Sequence, residues 1–339
     1  MLRLPPFEYL APRSLAEAVS MMADRGPDAM YVAGGTDLYP NMKRRQFEPK
    51  ALIGLRGIEE LHGVRTRASG TSEGNGNGLT IGAGMTLEQV ASHPEITEKY
   101  PALARAAGLV SSPPLRSMGT IGGNLCVDTR CTYYNQTYHW RKSLGFCLKK
   151  DGDTCWVALS SPRCMAVSSS DCAPVAIALG AQVRLVGPAG ERMIPAEALY
   201  DDDGLHYTTK APDEILASIH LPPLDGWRTT YLKLRRRGSI DFPILGVAVA
   251  LMLEGDGTCA DARIVLGAVA SRPVVVNEAA KMLVGNKITR ELIEAVAEVA
   301  SKPAKPLDNT DMALGYRKKL ARVYVARALA EVAGLPTVS

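Results

Sequence analysis

At 339 residues, with 46% hydrophobic and 22% charged residues, the chain is long enough for two or three domains and has the make-up of a soluble folded protein. A net charge of +4 with one dense basic spot, Arg235-Arg236-Arg237, argues against a nucleic-acid partner, and that spot reads as a solvated or phosphate-facing strand end. No run of about 18 apolar residues offers a membrane span, and the opening MLRLPPFEYLAPRS lacks a signal-peptide core, so a cytoplasmic protein is expected.

In chain order, Ser14 and Glu17 form a capping-box pattern that predicts a helix closed by Gly26. A short buried strand, 29–33, then runs into Gly34-Gly35-Thr36-Asp37. Strands follow at 51–55 and 79–83, and Thr86 and Gln89 make a second capping box. The glycine-rich 70–78 reads as a surface loop, and 101–108 as a short helix. Pro174 suits the first position of a helix closed by Gly180, and 181–187 with 191–195 reads as a hairpin. Pro222-Pro223 marks a boundary. Beyond it, strands at 228–235, 244–253 and 262–270 precede helices at 277–284, 289–301 and 312–332, an α+β order.

Two glycine turns stand out, Ala33 to Asp37 and Thr120 to Asn124. Glycines let successive backbone N–H groups approach an anion, and Thr and Asn add donors. Neither turn matches G-x-G-x-x-G, so a Rossmann nucleotide site is not indicated.

Six of the seven cysteines (Cys126, Cys131, Cys147, Cys155, Cys164 and Cys172) lie between Gly119 and Pro174. An odd number in a reducing compartment favours metal over disulfides. Without a C-x-x-C pair, the zinc-ribbon spacing is absent, and thiolates suit iron–sulfur as well as zinc. Spacing alone does not choose four ligands from six. Buried free thiols behaving as small apolar groups remain an alternative. Tyr133, Tyr134, Tyr138, Trp140 and Phe146 lie in the same segment and could shield a cluster or belong to a core; His139 reads as an ordinary surface or core histidine.

Together, AGGTDLYP (33–40), GTIGGNL (119–125), SDCAP (170–174), DEILASIHLP (213–222), KLRRRGSIDFPI (233–244) and DMALGYRKKLARVYVARAL (311–329) resemble the FAD-binding subunit of the xanthine dehydrogenase and carbon monoxide dehydrogenase family of molybdenum hydroxylases. The resemblance covers nearly the whole chain. It implies an α+β fold: a two-part FAD-binding domain of the molybdenum hydroxylase flavoprotein type over residues 1–222, with a cysteine-rich insertion at 126–168, and a C-terminal α+β domain of three strands and helices over 223–339. Most of the family lacks that insertion. NLCVDTRCTYYNQ, GFCLKKDGDTC and SPRC resemble the 4-hydroxybenzoyl-CoA reductase branch, whose flavoprotein subunit carries an additional [4Fe–4S] cluster.

Carried onto matching positions, the resemblance implies Cys131, Cys147, Cys155 and Cys164 as cluster ligands, with Cys126, Cys172 and Cys259 outside the pattern. It implies that Val32, Ala33, Gly34, Gly35, Thr36, Asp37 and Leu38 wrap the FAD pyrophosphate, with Thr120, Gly123 and Asn124 opposite. Asp171 would bond the ribityl or phosphate region, Lys233 would lie at the isoalloxazine edge, and Val110 at the adenine end. No catalytic residue is expected here. The substrate would react at a molybdenum cofactor in one partner subunit, and another partner would carry two [2Fe–2S] clusters, in a dimer of heterotrimers. Electrons would pass from a ferredoxin-type donor through [4Fe–4S] and FAD towards molybdenum, removing the phenolic hydroxyl of 4-hydroxybenzoyl-CoA. Three alternatives stay open: a related molybdenum hydroxylase with another substrate, a zinc-stabilised binding module, and a stand-alone FAD oxidoreductase.

Overall fold

The computed structural model describes residues 2–66 and 78–336, so most of the glycine-rich loop expected at 70–78 lies outside the described residues. Three sheets organise it. Strands β1 (Glu8–Leu10), β2 (Ala29–Val32) and β3 (Ala51–Gly54) form a parallel sheet in the order β1-β3-β2. Strands β4 (Val64–Thr66), β5 (Leu79–Gly82), β6 (Gln182–Gly187), β7 (Gly190–Pro195) and β8 (Ile215–Leu221) form an antiparallel sheet in the order β4-β5-β8-β6-β7. The C-terminal domain holds β9 (Trp227–Leu234), β10 (Leu245–Leu253), β11 (Cys259–Gly267) and β12 (Val274–Val275) in the order β12-β11-β10-β9. The two-residue β12 is a fourth strand where the sequence predicts three; two residues are too few to show a period-2 pattern.

The first sheet gets its shape from a parallel crossover. Helix Leu15–Arg25 links β1 to β2 and buries Leu15, Ala18 and Met22 on one face at helical spacing. Ser14 caps it by accepting from Glu17 N, but the Glu17 carboxylate accepts from Arg13 N, so the box is closed one residue early. The Thr86 and Gln89 box is complete.

The C-terminal sheet is covered on both sides. In β10, Leu245, Val247, Val249 and Leu251 face one way, into the apolar core shared with helices Asn277–Leu283, Arg290–Ser301 and Leu314–Ala333. Alternate residue Ala248 joins Tyr231 and Val265 in the core of the FAD-binding half. There the helix Cys172–Ala178, buried along its whole length, lies against β10 and β11, with Pro174 beside Gly267. The helix starts with Asp171 as N-cap, which puts Pro174 at its third position rather than its first. The missing Pro N–H is harmless anywhere in the first turn. One core thus runs across the domain junction. Among the described residues no helix is long and apolar enough to cross a membrane.

Candidate cofactor site

The first glycine turn leaves the carboxyl end of β2, and the helix Leu38–Lys43 begins immediately after Asp37. Open parallel sheets present their crevice at that end of the strands. Gly35 sits at φ +68°, a conformation that favours glycine. Among the described residues no acceptor takes the N–H groups of Gly34, Gly35, Thr36 and Asp37. Such a run of open amides is an anion cradle.

The second turn is a helix rather than a loop. Thr120 caps Ile121–Leu125 by accepting from Gly123 N at 3.0 Å. Its amides are committed: Ile121 N donates to Met85 O and Gly122 N to Ala83 O, so the segment is riveted to the end of β5. Two glycines in five residues disguise it as a turn, because glycine is a poor helix former and tertiary bonds make up the difference. The two segments touch backbone to backbone. A Cβ on Gly34 would lie 2.0 Å from Met118 O, and one on Gly119 would lie 3.2 Å from Thr36 Oγ1. The fold therefore brings Gly34 and Thr36 of the first turn against Met118 and Gly119, the two residues immediately before Thr120.

Asn124 extends the site. Its Oδ1 accepts from Ser170 Oγ at 2.8 Å and from Cys172 N at 3.1 Å, flanking Asp171. Asp171 Oδ1 accepts from Tyr231 Oη and Oδ2 from Lys233 Nζ, both at 2.8 Å. The Lys233 side chain is 1% exposed and that of Asp171 3%, so both ends of the pair are buried. Lys233 also donates to Leu109 O at 3.0 Å, next to Val110, whose side chain packs on the apolar core. Both residues of this buried pair are thus held by other protein groups, across the domain junction. Tyr231 was not singled out in the sequence. It stands two residues before Lys233 on β9, and the period-2 rule puts both on one face.

Burial pushes the Asp171 carboxyl above its ordinary 3.8, and the Lys233 ammonium pulls against that shift. Removing the cation leaves a buried charge without a counterion, so Lys233→Met is expected to cost about 3–5 kcal/mol. With the carboxyl pKa raised further, the folded variant holds a proton that the unfolded chain releases above the ordinary carboxylate range. Its stability should therefore be higher in acid and decline as pH rises through the raised value. Thermal unfolding of wild type and variant across pH checks both sign and size; a variant no weaker at neutral pH than in acid contradicts the assignment.

The cysteine-bearing insertion, 126–168, contains one regular helix among the described residues, Tyr138–Ser143. Its order comes from outside contacts. Arg130 pairs with Asp37 of the first glycine turn and lies 4.4 Å from the Phe242 ring. Gln46 Nε2 donates to Tyr134 O at 2.6 Å, and the buried Arg141 donates to the carbonyls of Arg44 and Arg45. On the other side Thr132 N donates to Asn309 O and Ser168 N to Ala270 O. Arg130 is a second residue the sequence reading missed; its place beside Cys131 was the one available signal.

Cys131, Cys147, Cys155 and Cys164 are all buried, none more than 7% exposed. Cys126 and Cys172 lie elsewhere, beside Lys210 and Asp171. Burial raises the Cys131 thiol to about 11 and Cys164 to about 12, while backbone N–H groups favour both thiolates; Ala166 N reaches Cys164 Sγ at 3.4 Å. Thiols so placed release their protons to solvent when a bound cation compensates the thiolate charge. Among the described residues no group of three or more His, Cys, Asp or Glu is arranged to hold a metal ion. Cys131, Cys147 and Cys164 pack in one apolar group with Tyr134, and Cys155 is buried as well. Of the aromatic residues near it, Tyr134 is buried with the thiols, while Tyr138 and Trp140 are exposed, as is His139.

Residues 5–224 match the FAD binding domain in molybdopterin dehydrogenase, and residues 229–332 the CO dehydrogenase flavoprotein C-terminal domain. The chain belongs to the FAD-binding subunits of the molybdenum hydroxylase family. It is 30% identical to the carbon monoxide dehydrogenase medium chain of Afipia carboxidovorans over 324 residues, 95% of each chain. It is 32% identical to the aldehyde oxidoreductase FAD-binding subunit of Escherichia coli over 276 residues, 79% of this chain and 82% of that one. In three dimensions it is similar to the crystal structure of Cu,Mo-CO dehydrogenase, with a TM-score of 0.79, 28% identity and coverage of 98% of this chain and 99% of that one. As a member of this family it is an oxidoreductase subunit that binds FAD, and the open amides at Gly34 to Asp37 suit the anionic part of that cofactor.

Proposed function

We propose that this FAD-binding subunit is the electron-relay subunit of a 4-hydroxybenzoyl-CoA reductase-type complex, and that it carries a [4Fe–4S] cluster besides FAD. The observation that supports the reading is the burial of Cys131, Cys147, Cys155 and Cys164, the four positions that the resemblance implies as ligands, three of them packed in one apolar group with Tyr134. Bound FAD exchanges electrons in pairs or singly, and a cubane held by four thiolates exchanges them one at a time.

The chain's own residues bind and orient. The amides of Gly34 to Asp37 hold the diphosphate, with Thr120, Gly123 and Asn124 forming the opposite wall of a domain running over 1–222. Asp171 and Lys233, fixed by Tyr231 and Leu109 O, line the ribityl and ring side, and Val110 the adenine side. Arg130 ties the thiol-bearing insertion to the first glycine turn through Asp37, which keeps the two cofactor sites in fixed relation. The partners in this reading are a molybdenum-cofactor subunit and a [2Fe–2S] subunit, assembled as a dimer of heterotrimers, with a ferredoxin-type donor. The substrate site lies in the molybdenum subunit.

The test is the complex purified without oxygen and supplied with a low-potential one-electron donor. It is expected to convert 4-hydroxybenzoyl-CoA to benzoyl-CoA. Turnover of a different substrate, with none of the thioester, would overturn the substrate assignment. Zinc in place of iron in this chain would overturn the relay role of the insertion.

A further inference from the structure

The anion cradle ends on an anion. Asp37 contributes one of the four open amides, and its own carboxylate belongs to the same turn, immediately before helix Leu38–Lys43. An aspartate at a helix start ordinarily turns its carboxylate onto nearby backbone N–H groups. Placed that way, it would occupy donors that a diphosphate needs and repel the diphosphate as well. Asp37 makes no such capping bond.

Two side chains hold the carboxylate elsewhere. Its Oδ1 is paired with Arg130, and its Oδ2 accepts from Asn41 Nδ2 at 3.0 Å. Asn41 Oδ1 in turn accepts from Arg130 Nη1 at 3.4 Å, so the three side chains close on one another. Asn41 is fully buried and Arg130 nearly so. Arg130 is fixed by groups other than the thiols. Its N donates to Val167 O at 2.8 Å and its O accepts from Val167 N at 2.7 Å, which joins the two ends of the insertion at its base. Its guanidinium lies over the ring of Phe242, from the C-terminal domain. Loosening the far part of the insertion therefore leaves this arginine in place.

We infer that Arg130 is a positioning residue for the flavin: by holding and neutralising the Asp37 carboxylate, it keeps the amides of Gly34 to Asp37 open to the diphosphate of the cofactor. The inference rests on the diphosphate lying on those amides, as proposed above, and on no metal. It gives the cysteine-bearing segment a second role, because flavin affinity then depends on a residue at its base. Arg130 acts through Asp37 and takes no part in electron transfer.

The experiment is a titration with FAD of the full-length chain stripped of its flavin, with circular dichroism of each sample to report folding. In Arg130→Met the Kd for FAD should rise about tenfold or more. That deficit should shrink as salt is added, because the Asp37 side chain is 30% exposed and salt screens its charge. Arg130→Lys keeps the charge and should lose less than Arg130→Met. The double variant Arg130→Met with Asp37→Ala removes the freed carboxylate and should regain most of the lost affinity, whereas a merely structural arginine would leave it as weak as the single variant. A folded Arg130→Met chain that binds FAD like wild type overturns the inference, as does a folded double variant no better than the single one. If only the single variant fails to fold, a double variant more than about tenfold weaker than wild type overturns it. If neither folds, Arg130 is an anchor of the fold and the inference also fails. A Gly34→Ala chain that keeps its flavin sinks the cradle first and this inference with it.

Discussion

Cys155→Ser is expected to strip the chain of most of its iron and leave its flavin bound. Cys155 is 5% exposed and is one of the four thiols proposed as ligands. A serine oxygen is a hard and weakly acidic ligand in place of a soft thiolate, and a cubane with three firm ligands is labile. Iron should fall from about four per chain to below about one. The insertion has little secondary structure of its own, so the loss should also loosen it, as it does in other small metal-ordered segments. Protease sensitivity confined to 126–168 would report this. The proposed flavin cradle at Gly34 to Asp37 follows β2 and packs on Met118 and Gly119, outside the cysteine-bearing segment. Cys126→Ser is the control. Cys126 is half-buried beside Lys210, outside the group, and its variant should keep its iron. Full iron in Cys155→Ser, or equal loss in Cys126→Ser, contradicts the ligand assignment.

Gly34→Ala is expected to abolish flavin retention and to destabilise the fold by about 3 kcal/mol or more. A Cβ there would lie 2.0 Å from Met118 O and 2.6 Å from Met118 C. Real Cβ contacts do not come that close, and the obstacle is backbone, which has no rotamer to escape into. One of the two segments must move, and either movement opens the cradle. Gly122→Ala meets Ala83 Cβ at 2.7 Å and Ala83 O at 2.9 Å and should act through the second segment in the same way. Gly238→Ala has nothing within 4 Å and should change stability by no more than about 0.5 kcal/mol. Flavin content after gel filtration and the thermal unfolding midpoint measure both effects. A Gly34→Ala chain that keeps stoichiometric flavin would show that the two turns do not enclose it.

Local patterns in the sequence carried much of the fold. The Thr86 and Gln89 box and the Ser14 cap of helix Leu15–Arg25 each rest on interactions spanning four residues or fewer. Hidden from that reading were features whose partners lie far along the chain. The 121–125 helix depends on carbonyls of Ala83 and Met85, and without them its glycines spell a turn. Helix Leu38–Lys43 carries Pro40 in its first turn, where proline is tolerated but looks like a stop. The pairing of Arg130 with Asp37, and of Asp171 with Tyr231 and Lys233, joins residues about 60 to 90 apart, and no spacing rule anticipates them. The four thiols show the same limit. Spacing left six candidates, and it is the family resemblance, not a spacing rule, that sets Cys126 and Cys172 apart.

The ratio of iron to flavin in full-length chain prepared without oxygen tests the central claim most directly. About four irons for each flavin, with no zinc, is the predicted result. A chain that holds its flavin with no iron, or holds zinc instead, would contradict it.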